Sequence, residues 1–564
     1  MKRFKFLYIV LIMTFLLITS VGQVMAGDFI QLCKTGYAGE ILDAIDNGAD
    51  VNQVTSEGKT PLMVAAEFNN KPHVITALVD SGAKINYSDH NGWTALMYAA
   101  VGDNLQAIKE LVNLGANLNA RNERGETALV IAIKKGNFYA ASKLINSGAN
   151  VNVKDDHGWT PLLLAVKGSN SLAVTNILIN AGADVNIRNN NGRTPLMIAT
   201  MEPYPDTGVV EVLLNAGAEV NIKDHNGWTA LMHAAHYKNV DVIELLLEND
   251  ADPNITNSKE ETALMIGLEN RLKLKGVRKL VDNGARVNAQ NRNGETPLIY
   301  SSKEVKDTSI IRYLISEGAK LNISDNVGMT PLAYAVKENN LSVIRELIKL
   351  GARVNIKNME GKTPLMLAAR YRDEPEIFKA LLKSGAGVND ADEYTGKTTL
   401  MLAAKYCDNQ EVIFLLLKYG ANPAARDVRG KKVVDYLEQN KALKGTDAYW
   451  RLNYLEPDKQ LKEFEEMKSK LEAGLWAGAI PSAGHVYAED WWPKGALFLT
   501  GEVILIAKAL DDQDDNQTLY LGLLGGIKIL EIYDAVKETG DYNKETADYN
   551  EEVKEFNETV KQQK

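Results

Sequence analysis

The sequence predicts an all-α solenoid of stacked helix-turn-helix units with projecting finger loops, followed by a smaller helical hydrophobic module. Three observations carry this prediction. A pattern G-A-x-x-N returns every 33 to 35 residues, at 48–52, 82–86, 115–119, 148–152 and onward to 385–389, with degenerate copies at 250–254 and 420–424. A second pattern, G-x-T-[PA]-L, returns in phase with the first, as at 58–62, 158–162, 294–298 and 361–365. Both cease after Asn440, where apolar stretches of a different kind begin. A fixed period of this size marks one supersecondary unit repeated along the chain, and such a stack lengthens without enlarging any single core.

Residues 1–26 read as a secretory leader. Lys2, Arg3 and Lys5 form its charged start, residues 6–18 its apolar run, and Val24-Met25-Ala26 a small-residue cleavage site before Gly27. The alternative is an uncleaved N-terminal anchor. No Cys follows the cleavage site, so a lipoprotein signal is not expected. Losing the leader, which carries three bases and no acid, would move the net charge from −10 to −13. A surface that acidic repels phosphate backbones, which argues against a nucleic-acid partner. Cys33 and Cys407 stand at opposite ends of the array. That separation exceeds the roughly 7 Å Cα limit for a disulfide, so both are expected as free thiols.

Each cassette should hold two short helices. In residues 92–119, Thr94 is placed to cap the first helix, which Ala95, Leu96, Met97, Ala99 and Ala100 continue. In many cassettes Pro follows the Thr and suits the first helical position, where no backbone donor is needed. Residues 105–114 form the second helix, with Ile108, Leu111, Val112 and Leu114 on one face, and Gly115 stops it. Residues 117–125 then form the finger. Eleven cassettes start at Gly58, Gly92, Gly125, Gly158, Gly192, Gly227, Glu260, Gly294, Gly328, Gly361 and Gly396, with a partial unit at 28–47 and a closing one at 430–440.

These motifs identify residues 27–440 as resembling the ankyrin-repeat family, which implies a scaffold that binds proteins on its concave face. The family's T-P-L-H histidine is absent; Met63, Met97, Met197, Met232, Met265, Met366 and Met401 stand there, substituting apolar packing. Pro203 and Pro205 should remodel one inter-helix turn. Residues 249–280 combine Asp250 and Glu260 at glycine positions with a basic run of Arg271, Lys273, Lys275, Arg278 and Lys279, and are expected to be the softest joint. The run is either a solvated helix face or a site for an acidic partner.

No catalytic motif emerges: there is no G-x-S-x-G elbow, phosphate-binding glycine loop, H-E-x-x-H or C-x-x-C. We therefore expect no enzyme, no cofactor and no metal. His90, His157 and His225 each follow an Asp near a finger tip, but they lie 67 and 68 residues apart. Two repeats put them on the order of 20 Å from one another, too far to share an ion. His233 and His236, three apart on one helix, lack an obvious third ligand. Trp93, Trp159 and Trp228 occupy the x of G-x-T, and the resemblance places this position, with the two before its Gly, on the concave face. Trp is enriched in binding hot spots. These six residues are the candidate partner contacts. The other account is a duplicated two-repeat block whose Trp packs against the neighbouring finger.

Beyond the repeats, residues 441–474 read as a helical linker with Leu461, Phe464 and Leu471 apolar among charges. Residues 475–540 form the hydrophobic module, expected to be helical. Its apolar stretches at 496–510 and 519–536 are short for membrane spans and are interrupted by Glu502, Lys528 and Glu531. Pro481-Ser482-Ala483-Gly484-His485-Val486-Tyr487, Trp492-Pro493-Lys494-Gly495 and Glu531-Ile532-Tyr533-Asp534-Ala535 resemble small bacterial membrane modules built around a P-G-x-G-x-x-Y turn, although Ser482 replaces the first Gly. The resemblance implies membrane association; a soluble helical cap is the alternative. Residues 541–564 carry Tyr542, Tyr549, Val553, Phe556 and Val560 at helical spacing among charges. Two functions follow: an exported, periplasmic or envelope-bound bacterial scaffold that captures a protein partner, or an envelope component whose C-terminal module carries transport or assembly while the repeats regulate it.

Overall fold

The computed structural model describes residues 26–454, except 72, 168–170, 204 and 305–306, together with five strands between 485 and 533. The leader, most of the linker and the charged tail lie outside the described residues. The chain divides into two compact units, Met1–Met359 and Glu360–Lys564.

The first unit begins with a helix pair, Ala26–Thr35 and Ala38–Asp46, and continues with one pair per cassette, from Pro61–Phe68 and Val74–Asp80 to Pro331–Lys337 and Leu341–Lys349. First helices pack on first helices of the next cassette, and second on second. The reason is local. A threonine before each first helix accepts an amide from its first turn: Met63 N–H donates to Thr60 Oγ1 at 3.3 Å and Met97 N–H to Thr94 Oγ1 at 3.4 Å. The next residues are buried almost without exception, as Leu96, Met97, Ala99 and Ala100 show, and their small alanines bring the helices close. Where Pro203 and Pro205 intervene, the first helix shrinks to Pro195–Ala199 and the second restarts at Thr207, capped by Asp206.

Methionine in the histidine position does more than fill space. The Thr60 amide donates to Met63 Sδ at 3.4 Å and the Thr94 amide to Met97 Sδ at 3.5 Å. A thioether thus accepts, weakly, at the helix start, which corrects the purely apolar role expected from sequence.

In the second unit, Pro364–Tyr371 pairs with Pro375–Lys383 and Thr399–Tyr406 with Gln410–Lys418. The closing repeat runs past Asn440: helix Asp447–Tyr454 packs on Gln410–Lys418 and on Val433–Leu437. Cys33 and Cys407 are free and buried, and burial pushes both thiols up to about 12. Cys407 Sγ donates to the carbonyl of Arg372 at 3.2 Å.

The helical reading of residues 475–540 is overturned where the chain is described. Strands β1 (His485–Tyr487), β2 (Gly495–Thr500), β3 (Val503–Lys508), β4 (Thr518–Leu523) and β5 (Leu530–Tyr533) form an antiparallel meander in chain order. The register joins Thr500 to Val503 and Gly495 to Lys508. The physical cause is length: apolar runs of six residues suit strands. No helix among the described residues is long and apolar enough to cross a membrane.

Candidate protein-binding face

Fingers and first helices share one side of each repeat, and a single carboxylate or amide three residues before the finger glycine fixes their geometry. Asp89 Oδ1 accepts the amides of Asn91 at 2.9 Å and Trp93 at 2.8 Å, which closes the finger turn. Its other oxygen accepts the Tyr98 hydroxyl at 2.6 Å, tying the finger base to the first helix. Asp325 does the same with Tyr334 at 2.7 Å, and Asp427 with Tyr436. This tie was missed in the sequence, yet it has a signal: Asp and Tyr recur nine residues apart at 89/98, 325/334 and 427/436.

Trp93, Trp159 and Trp228 each follow a turn-closing aspartate by four residues and are half-buried. The rings of Trp93 and Tyr98 lie 5.3 Å apart. Trp228 lies 5.0 Å from the His233 ring and meets His236 edge-on at 5.7 Å. The amides of Trp159 and Trp228 donate to Asp155 and Asp224 at 2.8 and 2.9 Å.

His90, His157 and His225 are exposed but not equivalent. His90 and His225 follow the buried turn-closing Asp89 and Asp224, and their amides donate back to the preceding finger, to Glu57 O at 3.4 Å and Asn191 O at 3.1 Å. In the cassette between, Asp156 makes that contact with Arg124 O at 3.1 Å, and His157 sits one residue later. The turn-closing group there is Asp155, not the Asp156 beside His157. The three histidines are thus not brought together, and among the described residues no group of three metal-ligating side chains forms.

Around Trp228 the face deepens into a concavity of about 370 Å³ lined by Arg193, Met201, Asp224, His233, His236 and Tyr237. Asp224 is the electrostatic centre. Burial alone would raise its pKa, but His233 and the amides of Trp228 and Asn226 outweigh this and hold the carboxyl at about 2. His233 takes the position of the tying tyrosine but reaches Asp224 only at 3.8 Å, and its Nε2, like Arg193 Nε, has no hydrogen-bond partner. Burial lowers the His233 pKa despite the neighbouring carboxylate.

The asparagine of G-A-x-x-N proves to be an inter-repeat clamp. Asn52 Nδ2 donates to Gly82 O at 3.0 Å while its Oδ1 accepts the Lys84 amide at 3.0 Å, and Asn152 repeats this with Gly182 and Asp184. The basic run of the seventh cassette is mostly paired on its neighbours: Arg271 with Glu304 at 3.3 Å, Lys275 with Asp241 at 3.7 Å and Lys279 with Glu244, while Arg278 covers the Tyr313 ring at 4.5 Å. It is a solvated helix face knitted to adjacent repeats.

The family model of ankyrin repeats matches this chain at residues 29–122, 103–189, 162–257, 196–291, 264–358 and 355–427. The chain belongs to the ankyrin-repeat family. Its members are typically non-catalytic scaffolds that bind proteins. No curated protein matches the chain closely.

Proposed function

We propose that this protein is an exported bacterial scaffold that captures a protein partner on the finger-and-first-helix side of its repeats, with Trp93, Trp159 and Trp228 as anchors and His90, His157 and His225 beside them. The observation that carries the reading is the state of the three tryptophans: half-buried, braced from below by hydrogen-bonded finger turns, and, at Trp228, set on the rim of a concavity. A large aromatic held in place but left partly uncovered offers area at little ordering cost. The leader sequence supports export, and the apolar residues 495–508 with Trp491 and Trp492 support holding the scaffold at a membrane.

Truncation separates anchoring from packing. Each Trp→Ala change should weaken partner binding by about 2 kcal/mol or more, as at a hot spot, with a smaller change in melting temperature. A partner recovered by crosslinking in the exported compartment provides the ligand for titration. Lower melting temperature with intact affinity at all three positions would defeat the anchoring role. For the tether, release of the full chain by carbonate would exclude an integral attachment.

A further inference from the structure

The second unit distributes charge on its first-helix side differently from the first. In two cassettes of the first unit, a cation ending a first helix meets a carboxylate eight residues earlier. Lys134 lies 2.7 Å from Glu126 and 3.1 Å from Asp155, and Lys303 pairs with Glu295. In the second unit the positions of Glu126 and Glu295 are held by Lys362 and Lys397, and those of Lys134 and Lys303 by Arg370 and Lys405. Both members of each pair are therefore basic, and Lys431 extends the series.

Aromatic rings carry this surplus. Arg370 lies 3.8 Å from the centre of Tyr406, and Lys405 lies 5.1 Å from it. Lys397, Lys405 and Lys431 surround Tyr436 at 5.4, 5.9 and 5.9 Å. Lys362 has Glu360 at 2.5 Å, but among the described residues Arg370, Lys397, Lys405 and Lys431 have no carboxylate within ion-pair distance. The nearby Asp427 is already engaged by the Tyr436 hydroxyl and the amides of Arg429 and Lys431. Tyr371 and Tyr406 remain 46% and 38% exposed. A cation seated on a ring keeps its outer hydrogens free, and two adjacent like charges gain most from an anion placed between them.

We propose that this face of the second unit binds an acidic peptide segment of a protein partner, its carboxylates between Arg370, Lys397 and Lys405 and its apolar atoms on Tyr371 and Tyr406. The inference rests on the reading that this side of the repeats takes protein, but it uses none of the tryptophans. In the basic run of the seventh cassette, by contrast, Arg271, Lys275 and Lys279 are paired with carboxylates of the chain, so the two basic regions are not alike.

The test titrates the full-length chain with a fluorescein-labelled twelve-residue peptide of Glu, Asp and two Tyr, followed by anisotropy. Saturable binding is expected, weakening as salt rises and falling about tenfold or more in Arg370→Glu/Lys405→Glu. Lys379→Glu/Lys383→Glu, an equal charge change on a second helix of the same unit, should leave it within twofold. Circular dichroism checks folding, and Arg370→Gln/Lys405→Gln replaces the charge reversal if that variant unfolds. Equal loss in both pairs, no loss in the first, or equal affinity for a twelve-residue oligothymidylate would overturn the proposal. The Trp→Ala variants should bind the peptide normally; loss there alone would overturn this inference while leaving the tryptophan reading intact.

Discussion

Replacing Glu260 by glycine should stabilise the protein, against the usual direction for an added glycine. Glu260 holds φ at +63°, where the other cassettes place glycine, and Asp250 (+61°) and Arg271 (+61°) share that left-handed geometry within a span of 22 residues. A non-glycine side chain in this region costs roughly 1–2 kcal/mol, of which the greater chain entropy of an unfolded glycine takes back about half. The side chain offers little in return: its contact with Arg292 is 3.9 Å long and both groups are well exposed, a pairing worth a few tenths of a kcal/mol at most, on the order of 0.3. The net expectation is about 0.5–1 kcal/mol for Glu260→Gly, or two- to fivefold slower exchange of amides in residues 249–280 if they open below the global free energy. Native-state hydrogen exchange with denaturant titration reads both. A destabilised variant, or protection already uniform across all repeats in the parent chain, would refute the claim that this cassette is the weak joint.

Two finger glycines should respond unequally to alanine. At Gly92 (φ +78°) a Cβ would lie 2.9 Å from the Glu123 amide nitrogen and 3.0 Å from Asn122 Cα, so strain and collision add to about 2–4 kcal/mol; at Gly82 (φ +96°) it meets open space, and about 1 kcal/mol is expected. Equal melting-temperature losses would disprove the close finger-to-finger approach. Acidification should loosen the repeat around Trp228. The folded His233 pKa lies below its ordinary 6.5, so the folded state resists protonation there and stability is lost as pH falls below that value, before Asp224 contributes its own loss between 3.8 and about 2. Thermal unfolding of His233→Gln should therefore vary less between pH 7.5 and 5 than that of the parent chain; identical pH dependence would rule the residue out.

The period, the caps and the stop glycines were legible because each depends on residues adjacent in sequence. Thr94 and Gly115 need only their own turn to act. What stayed hidden depends on partners a repeat away or on competing elements. Asn52 reads as a motif letter until the next repeat supplies Gly82 and Lys84 as its ligands. The even spacing of Asp–His pairs suggested equivalence, but one residue of slippage puts Asp155 in the role that Asp89 plays, with His157 displaced. In residues 495–523, apolar runs without clear periodicity fit helix or strand, and only the pairing of β2, β3 and β4 decides for strand.

The tie between finger base and first helix bears on how such a surface changes over time. Because Asp89 and Tyr98 lock the frame from beneath, the residue at 93 is free to vary without holding the turn together through its side chain. The same slot carries Trp93, Glu126, Trp159, Arg193, Trp228 and Lys397 in this one chain. Where the amide of that slot donates to a turn-closing Asp or Asn, as at 93, 126, 159, 193 and 228, the repeat behaves as a socket of fixed shape with an exchangeable fitting. New specificity requires one codon, not a new fold, and a ligand pays little to immobilise what is already immobile.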